Sequence, residues 1–144
     1  MAVVEKSTEI NAPVEKVFSY LENSESNVEW LPGMMEVREI NKTENNIGTH
    51  FRWTYKMAGL RFEGETTVVE HIPNSKIVTR SKGGINSTWT FTFEQKGGGT
   101  KLTIKVDYTV PVPVLGKLAE ALVLKQNNRE ADLALSNIKE RMET

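Results

Sequence analysis

Cysteine is absent from the chain, and histidine occurs only twice, as His50 and His71. Without cysteine there can be no thiol nucleophile and no disulfide, and with two histidines a closed zinc site lacks its usual ligands. No nucleophile-elbow motif and no phosphate-binding glycine loop occurs either. We therefore expect no metal centre and no cofactor, and the cytoplasm is the expected compartment.

An excess of charge of either sign is also lacking, because 18 Lys and Arg residues face 19 Asp and Glu residues. The formal net charge of -1 gives no long-range attraction to a polyanion, so nucleic acid is not an expected partner. The longest stretch without Asp, Glu, Lys or Arg, from Gly83 to Phe93, has 11 residues. A membrane span needs roughly 18 apolar residues, so the sequence predicts no transmembrane helix.

The length and composition of the chain suit one globular domain. The chain has 144 residues, of which 38% are hydrophobic and 26% charged. A domain of this length buries roughly two-thirds of the surface that its unfolded chain exposes. No internal repeat and no low-complexity segment divides the sequence. We expect a single domain that spans residues 1–144.

The N-terminal part predicts one strand followed by two short helices. Residues 2–10 form the expected strand, and the sequence Asn-Ala-Pro at 11–13 is typical of a helix start. The helix that follows carries four apolar residues at the spacing of one face: Val14, Val17, Phe18 and Leu21. A second short helix is expected from Ser24 to Leu31, where Pro32 ends it.

Between Met34 and Val110 the hydrophobic period changes to two, and turn signals divide the segment into six strands. In three of them apolar and polar residues alternate. The apolar faces carry Phe51, Trp53, Tyr55 and Met57, then Trp89, Phe91 and Phe93, then Leu102, Ile104, Val106, Tyr108 and Val110. Strands with one covered face and one solvent-exposed face, connected by short turns, predict an antiparallel sheet of about seven strands.

A long helix is expected at the end of the chain, from Val114 to about Arg141. Its apolar stripe contains Val114, Leu118, Ala121, Leu124, Asn128, Ala131, Leu135, Ile138 and Met142, widened by Leu115 and Leu122. Lys117, Glu120, Glu130 and Lys139 are expected in solvent on the outer face. The sheet is expected to curl around this helix to bury its apolar face. Wide aromatics opposite small helix residues leave two alternatives, a filled core or an apolar chamber.

Five local strings carry a resemblance to a known superfamily: residues 10–18 (INAPVEKVF), 30–34 (WLPGM), 47–53 (IGTHFRW), 98–103 (GGTKLT) and 128–130 (NRE). In these strings and in the order of its elements the chain resembles the START-like (SRPBCC) superfamily, and most of all its polyketide cyclase/dehydrase and lipid-transport branch. The resemblance covers essentially the whole chain. It implies an α+β helix-grip fold with a cavity between the sheet and the C-terminal helix that takes an apolar or amphipathic small molecule.

Eleven residues are candidates for lining that cavity: Trp30, Met34, Phe51, Trp53, Tyr55, Trp89, Phe91, Tyr108, Leu118, Leu122 and Asn128. For Tyr55 and Tyr108 the alternative is a hydrogen bond to the backbone, and for Asn128 it is a position in solvent. The directions of Glu70 and Arg80 stay open. A bulge at Gly64 would turn Glu70 outward, and the strand of Arg80 has apolar residues on both faces.

Two classes of function fit these observations. The first is non-catalytic binding or carriage of a lipid, a quinone or a polyketide-like compound, favoured because no conventional catalytic set is present. The alternative is a cyclase/dehydrase-type enzyme that uses the same cavity. Its candidate residues are Tyr55, Tyr108, Arg80 and Glu70. A third alternative, an interaction module that acts through the wet sheet face, is disfavoured by the polar alternation of that face.

Overall fold

The structure is a computed structural model that describes residues 2–57, 59–109 and 117–144, and the side chains of all of these except 117–124. Its strands are β1 (Ala2–Ile10), β2 (Met34–Asn41), β3 (His50–Met57), β4 (Leu60–Ile72), β5 (Lys76–Gly83), β6 (Ser87–Lys96) and β7 (Gly99–Tyr108). Its helices are α1 (Val14–Glu22), α2 (Asn27–Trp30), which follows a 3₁₀ turn (Ser24–Ser26), and α3 (Lys117–Met142).

The predicted architecture is confirmed. The seven described strands form one antiparallel sheet in the order β1-β7-β6-β5-β4-β3-β2, and the curved sheet packs against a long C-terminal helix. This is the α+β helix-grip arrangement. Some predicted positions fall outside the residues whose side chains are described: Val110, Val114, Leu115, Lys117, Leu118, Glu120, Ala121, Leu122 and Leu124.

The first helix forms where its apolar spacing predicts. All four residues of the predicted face of α1 are buried, and Pro13 precedes the first turn in an extended conformation. The main core lies between α1, α2, the end of α3 and the central strands. Val17, Leu102 and Ile138 have no exposed surface there. Each fully buried aliphatic side chain stabilises the fold by roughly 1.5–3 kcal/mol.

The C-terminal end of α3 lies beside the residue that follows β1, at one edge of the sheet. β1 is the edge strand and pairs with β7, so that Ile10 lies opposite Thr100. The next residue, Asn11, donates its backbone N–H to the Glu143 carboxylate at 2.7 Å. This bond fixes the end of α3 beside the start of α1.

Strand β4 contains a bulge at Val69. Val68 lies opposite Thr79 and Glu70 lies opposite Val78, so Val69 is the extra residue between them. Side chains beyond the bulge therefore point to the opposite face from the one that simple alternation predicts. Glu70 turns outward, as expected if a bulge exists, but the bulge is at Val69 and not at Gly64.

Both residues whose direction was left open lie on the outer face. The Glu70 carboxylate is 3.6 Å from Lys76 Nζ. Arg80 is exposed, and its neighbours across the sheet, Thr67 and Thr88, share that face. Neither charged group has to be buried.

In its middle, α3 presents a different face to the sheet from the predicted one. Ala131, Leu135, Ile138 and Met142 are buried or half-buried as predicted. Asn128 is exposed, whereas Asn127 and Glu130, the latter expected in solvent, are half-buried. Counted back from Ile138 at about 100° per residue, Asn127 lies about 20° away and Asn128 about 80° away on the flank opposite Glu130. Of the two alternatives for Asn128 the structure has the position in solvent, whereas the prediction of Glu130 in solvent was wrong, because Glu130 lies on the flank of α3 where the Tyr55 hydroxyl bonds to it.

Candidate ligand-binding cavity

A cavity lies between the inner face of the sheet, the α1–α2 segment and the middle of α3. The cavity has a volume of about 160 Å³. An apolar cavity of roughly 150 Å³ can hold benzene. Of the two alternatives left by the sequence, a filled core or a chamber, the structure therefore has the chamber.

Most of the predicted lining residues lie on this cavity. Those at its wall are Trp30, Met34, Phe51, Trp53, Tyr55, Trp89, Phe91 and Tyr108. Leu118 and Leu122 fall outside the described side chains, and Asn128 does not reach the wall. The strand candidates were found because strict alternation places every second residue on one face.

Three aromatic rings form one side of the cavity. Trp89 and Phe91 are stacked with their centroids 5.9 Å apart and their planes 20° apart. The Trp30 indole meets both rings edge-on, at 6.3 Å from Trp89 and 6.1 Å from Phe91. Such edge-to-face and offset contacts are favoured by the ring quadrupoles, so they hold the three rings in fixed orientations.

A chain of hydrogen bonds crosses the middle of the cavity wall. Trp53 Nε1 donates to Thr66 Oγ1 at 2.9 Å, and Thr66 Oγ1 lies 2.6 Å from Ser81 Oγ. The indole can reach Thr66 because Gly64 leaves space beneath it. A Cβ on Gly64 would lie 2.4 Å from the Trp53 ring. The glycine therefore positions the tryptophan rather than forming a turn.

A tyrosine and a carboxyl group form a polar cluster where α3 crosses the sheet. The Tyr55 hydroxyl donates to Glu130 Oε2 at 2.9 Å. Burial raises the pKa of the Glu130 carboxyl, and the bond from Tyr55 opposes that shift in part. Burial, followed by the nearby Glu130 charge, raises the pKa of Tyr55 above its usual value. The phenol is therefore a hydrogen-bond donor and not an anion at neutral pH.

A second tyrosine joins the same cluster. Asn127 Nδ2 donates to the Tyr108 hydroxyl at 2.7 Å, and both residues line the cavity. Burial raises the pKa of Tyr108, so its hydroxyl also keeps its proton. Because the Tyr108 oxygen accepts from Asn127, its own hydrogen can be donated elsewhere. Both phenols thus bond to side chains of α3, and neither bonds to the backbone of the described residues.

The half-buried Glu130 carboxyl group should make the stability of the fold depend on pH. Its folded-state pKa is raised, so burial of the charge destabilises the fold above that pKa and has no effect below the unfolded value of about 4.3. We expect Glu130→Gln, which can still accept from Tyr55, to raise the urea midpoint at pH 7. The gain should disappear below about pH 4.

Urea unfolding of the variant and the native chain at pH 7 and at about pH 3.5 measures this effect. Glu140→Gln, at an exposed position on α3, is the matched control and should change the midpoint little at either pH. A loss of stability in Glu130→Gln at pH 7 would contradict the prediction.

A histidine and a glutamate meet at another part of the wall. His71 Nε2 lies 2.6 Å from Glu22 Oε2, and both residues line the cavity with Asn46. Phe18 packs edge-on against the imidazole with the ring centroids 5.3 Å apart. His50, in contrast, lies on the outer face, and its Nδ1 is 3.2 Å from the Gly48 carbonyl oxygen.

Sequence reasoning missed several polar residues of the wall: Glu22, Thr66, His71, Asn127 and Glu130. For Asn127, phasing from Ile138 was the available signal, whereas Glu130 lies as far around the helix from Ile138 as the exposed Asn128 does and no such signal marked it. His71 could not be found by alternation, because the bulge reverses the faces of β4 just before it. Glu70 and Arg80, which were candidates, are not part of the wall.

Among the described residues, no three Asp, Glu or His side chains lie close enough together to hold a metal ion. No helix in the described part of the chain is long and apolar enough to cross a membrane.

Several solved structures share this fold over nearly their whole length. TTHA0849 from Thermus thermophilus has a TM-score of 0.83 at 22% identity, covering 98% of this chain and 97% of that one. The Zhui aromatase/cyclase from a Streptomyces species has a TM-score of 0.79 at 14% identity, with coverage of 99% and 93%. A START superfamily protein from Mycobacterium smegmatis has a TM-score of 0.66 at 21% identity, with coverage of 91% and 96%. These likenesses establish the fold.

No curated protein sequence matches the chain. The resemblance predicted from the local strings is nevertheless confirmed at the level of the family. Residues 1–143 match the sequence profile described as polyketide cyclase / dehydrase and lipid transport, and the chain belongs to that family.

Proposed function

We propose that the chain binds or carries a hydrophobic or amphipathic small molecule, of a lipid, quinone or polyketide-like kind, in this cavity. The observation that carries the proposal is the chemical composition of the cavity wall. Indole, phenyl and aliphatic groups cover most of it, and several of its polar side chains are joined in hydrogen-bonded clusters. Ligand sites typically combine such an apolar lining with a few polar groups. Lipid transport in the family's description supports the proposal.

Filling the cavity tests this function. Thr79 lies on its wall between the strands that carry Trp53 and Trp89, so Thr79→Phe should occupy the space that a ligand needs. We expect an aromatic probe, 2-methoxynaphthalene, to bind the variant at least about tenfold more weakly than the native chain. Thr90→Phe makes the same change on the outer face and should leave binding unaltered.

The tryptophans provide the readout. The chain has three, and Trp30, Trp53 and Trp89 all line the cavity. Titration of the probe should therefore shift their indole N–H signals in a ¹H–¹⁵N NMR spectrum. Native mass spectrometry of the purified protein should in addition detect a retained apolar compound. The proposal fails if no indole signal moves and no compound is retained.

A second candidate function is supported by one observation, the Tyr55–Glu130 pair. A half-buried carboxyl group with a raised pKa, bonded to a phenol that keeps its proton, is a combination that can give or take a proton at a bound molecule. The alternative is thus a cyclase/dehydrase-type enzyme that uses the same cavity. Aromatase/cyclases among the proteins of similar fold support it.

A retained compound also distinguishes carriage from catalysis. If the protein is a dehydrase, the compound should lose water on incubation with the native chain, and Glu130→Gln should slow that loss by roughly 10²-fold or more. If the compound is released unchanged by both proteins, the function is carriage. Tyr55→Phe removes the phenol's proton but keeps the ring, so it separates proton transfer from packing.

A further inference from the structure

A short polar contact joins His71 to Glu22 at the cavity wall. The His71 side chain is 9% exposed and that of Glu22 is 34% exposed, and the two meet at the end of α1. Asn46 Nδ2 is 3.4 Å from the same carboxylate oxygen. Buried imidazole groups are expensive to desolvate unless a partner is supplied, and Glu22 is that partner.

The bulge in β4 places His71 on the cavity. If β4 alternated regularly through Val69, Glu70 would share the inner face with Val68 and His71 would lie on the outer face. Beyond the bulge, His71 lies opposite Ile77, which is buried and lines the cavity. Bulges often redirect a side chain beside a functional site.

The hydrogen bond to Glu22 fixes which ring nitrogen remains for a ligand. An ionised carboxylate can only accept, so Nε2 carries the proton that it donates to Glu22. In the neutral imidazole the other nitrogen, Nδ1, is then an acceptor. The two polar contacts described for the ring, with Glu22 at 2.6 Å and with Asn46 Nδ2 at 3.5 Å, are both made at Nε2. The packing of Phe18 against the ring restricts its rotation.

We propose that His71, oriented by Glu22, is a subsite that accepts a hydrogen bond from a hydroxyl group on the bound molecule. This inference rests on the proposed ligand-binding function and adds a chemical class to it: an apolar ligand with an O–H donor, in preference to one with only ether, ester or ketone oxygens. The Glu22 carboxylate also disfavours an anionic group at this position, because like charges at such short range repel.

Two probes that differ in one hydrogen-bond donor test the subsite. 2-Naphthol carries a hydroxyl, and 2-methoxynaphthalene has the same rings without the donor. We expect the native chain to bind the naphthol about tenfold more tightly, the effect of leaving one buried acceptor unpaired. In His71→Phe the naphthol affinity should fall to that of the ether, while the ether still binds. His50→Phe, on the outer face, should retain the preference.

A spectroscopic measurement keeps the test valid if His71→Phe fails to fold. ¹⁵N NMR of the native chain should show His71 protonated at Nε2, and 2-naphthol should shift the Nδ1 resonance more than 2-methoxynaphthalene does. Equal affinities for the two probes, a preference that survives His71→Phe, or an unmoved Nδ1 would each overturn the subsite but leave the ligand-binding function intact. Binding of neither probe would overturn both.

Discussion

Gly64→Ala is expected to destabilise the fold by about 3 kcal/mol, at the upper end of the range for overpacked sites. The added Cβ would lie 2.4 Å from the Trp53 ring and 2.5 Å from the Lys82 carbonyl oxygen. Neither neighbour is the free end of a flexible side chain. The carbonyl belongs to the paired strand β5, and the indole is 4% exposed and bonded to Thr66. The indole must therefore leave its position on the cavity wall.

Two measurements follow from that displacement. Urea unfolding should show a lower midpoint with little change in slope, and the indole N–H signal of Trp53 should move as its bond to Thr66 is lost. Gly98→Ala is the matched control, because a Cβ at Gly98 meets nothing within 4 Å. A Gly64→Ala protein as stable as the Gly98→Ala protein would contradict the close packing described for Trp53.

Leu135→Ala is expected to remove about 2–5 kcal/mol of the free energy of unfolding. Leu135 is 4% exposed and belongs to the core that α3 shares with α1 and the sheet. Its truncation removes buried methyl groups and leaves a cavity that the surrounding strands cannot fill. Since domains of this kind are stable by roughly 5–15 kcal/mol in total, the loss is a large part of the whole.

The same substitution two residues earlier on the helix is the control. Leu133 is 50% exposed, so Leu133→Ala should change the stability by no more than about 0.5 kcal/mol. Both variants alter helix propensity equally, and the difference between them therefore reports burial alone. Similar midpoints for the two variants in urea would show that the observed phase of α3 is wrong.

The sheet and its inner face could be predicted because alternation is a local property. In β3, for example, the order Phe51, Arg52, Trp53 assigns each residue to a face without knowledge of any partner strand. The predicted aromatic lining is accordingly found on the cavity. The same logic failed in β4, where adjacent Val68 and Val69 offer one apolar residue to each face. Either register satisfies the pattern there, and pairing with β5 decides between them.

The bonds of Tyr55 and Tyr108 to α3 could not be predicted from the apolar stripe alone, because they depend on how α3 is rotated over the sheet. Tyr55 and Glu130 are 75 residues apart in sequence and meet across two elements. A rotation error of one residue, about 100°, exchanges Asn127 for Asn128 at the wall. On a helix whose middle has few large apolar side chains, hydrophobicity alone does not define that rotation.

The pairing of β1 with β7 also governs when the fold can form. β1 is made first, yet its partner across from Ile10 is Thr100, 90 residues later. This strand therefore remains without its sheet neighbour until β7 has been synthesised. Contacts of such long sequence separation are associated with slow folding, because the intervening chain must be ordered before they close. The N-terminal strand, the first segment of the sheet to be synthesised, is thus among the last able to join it.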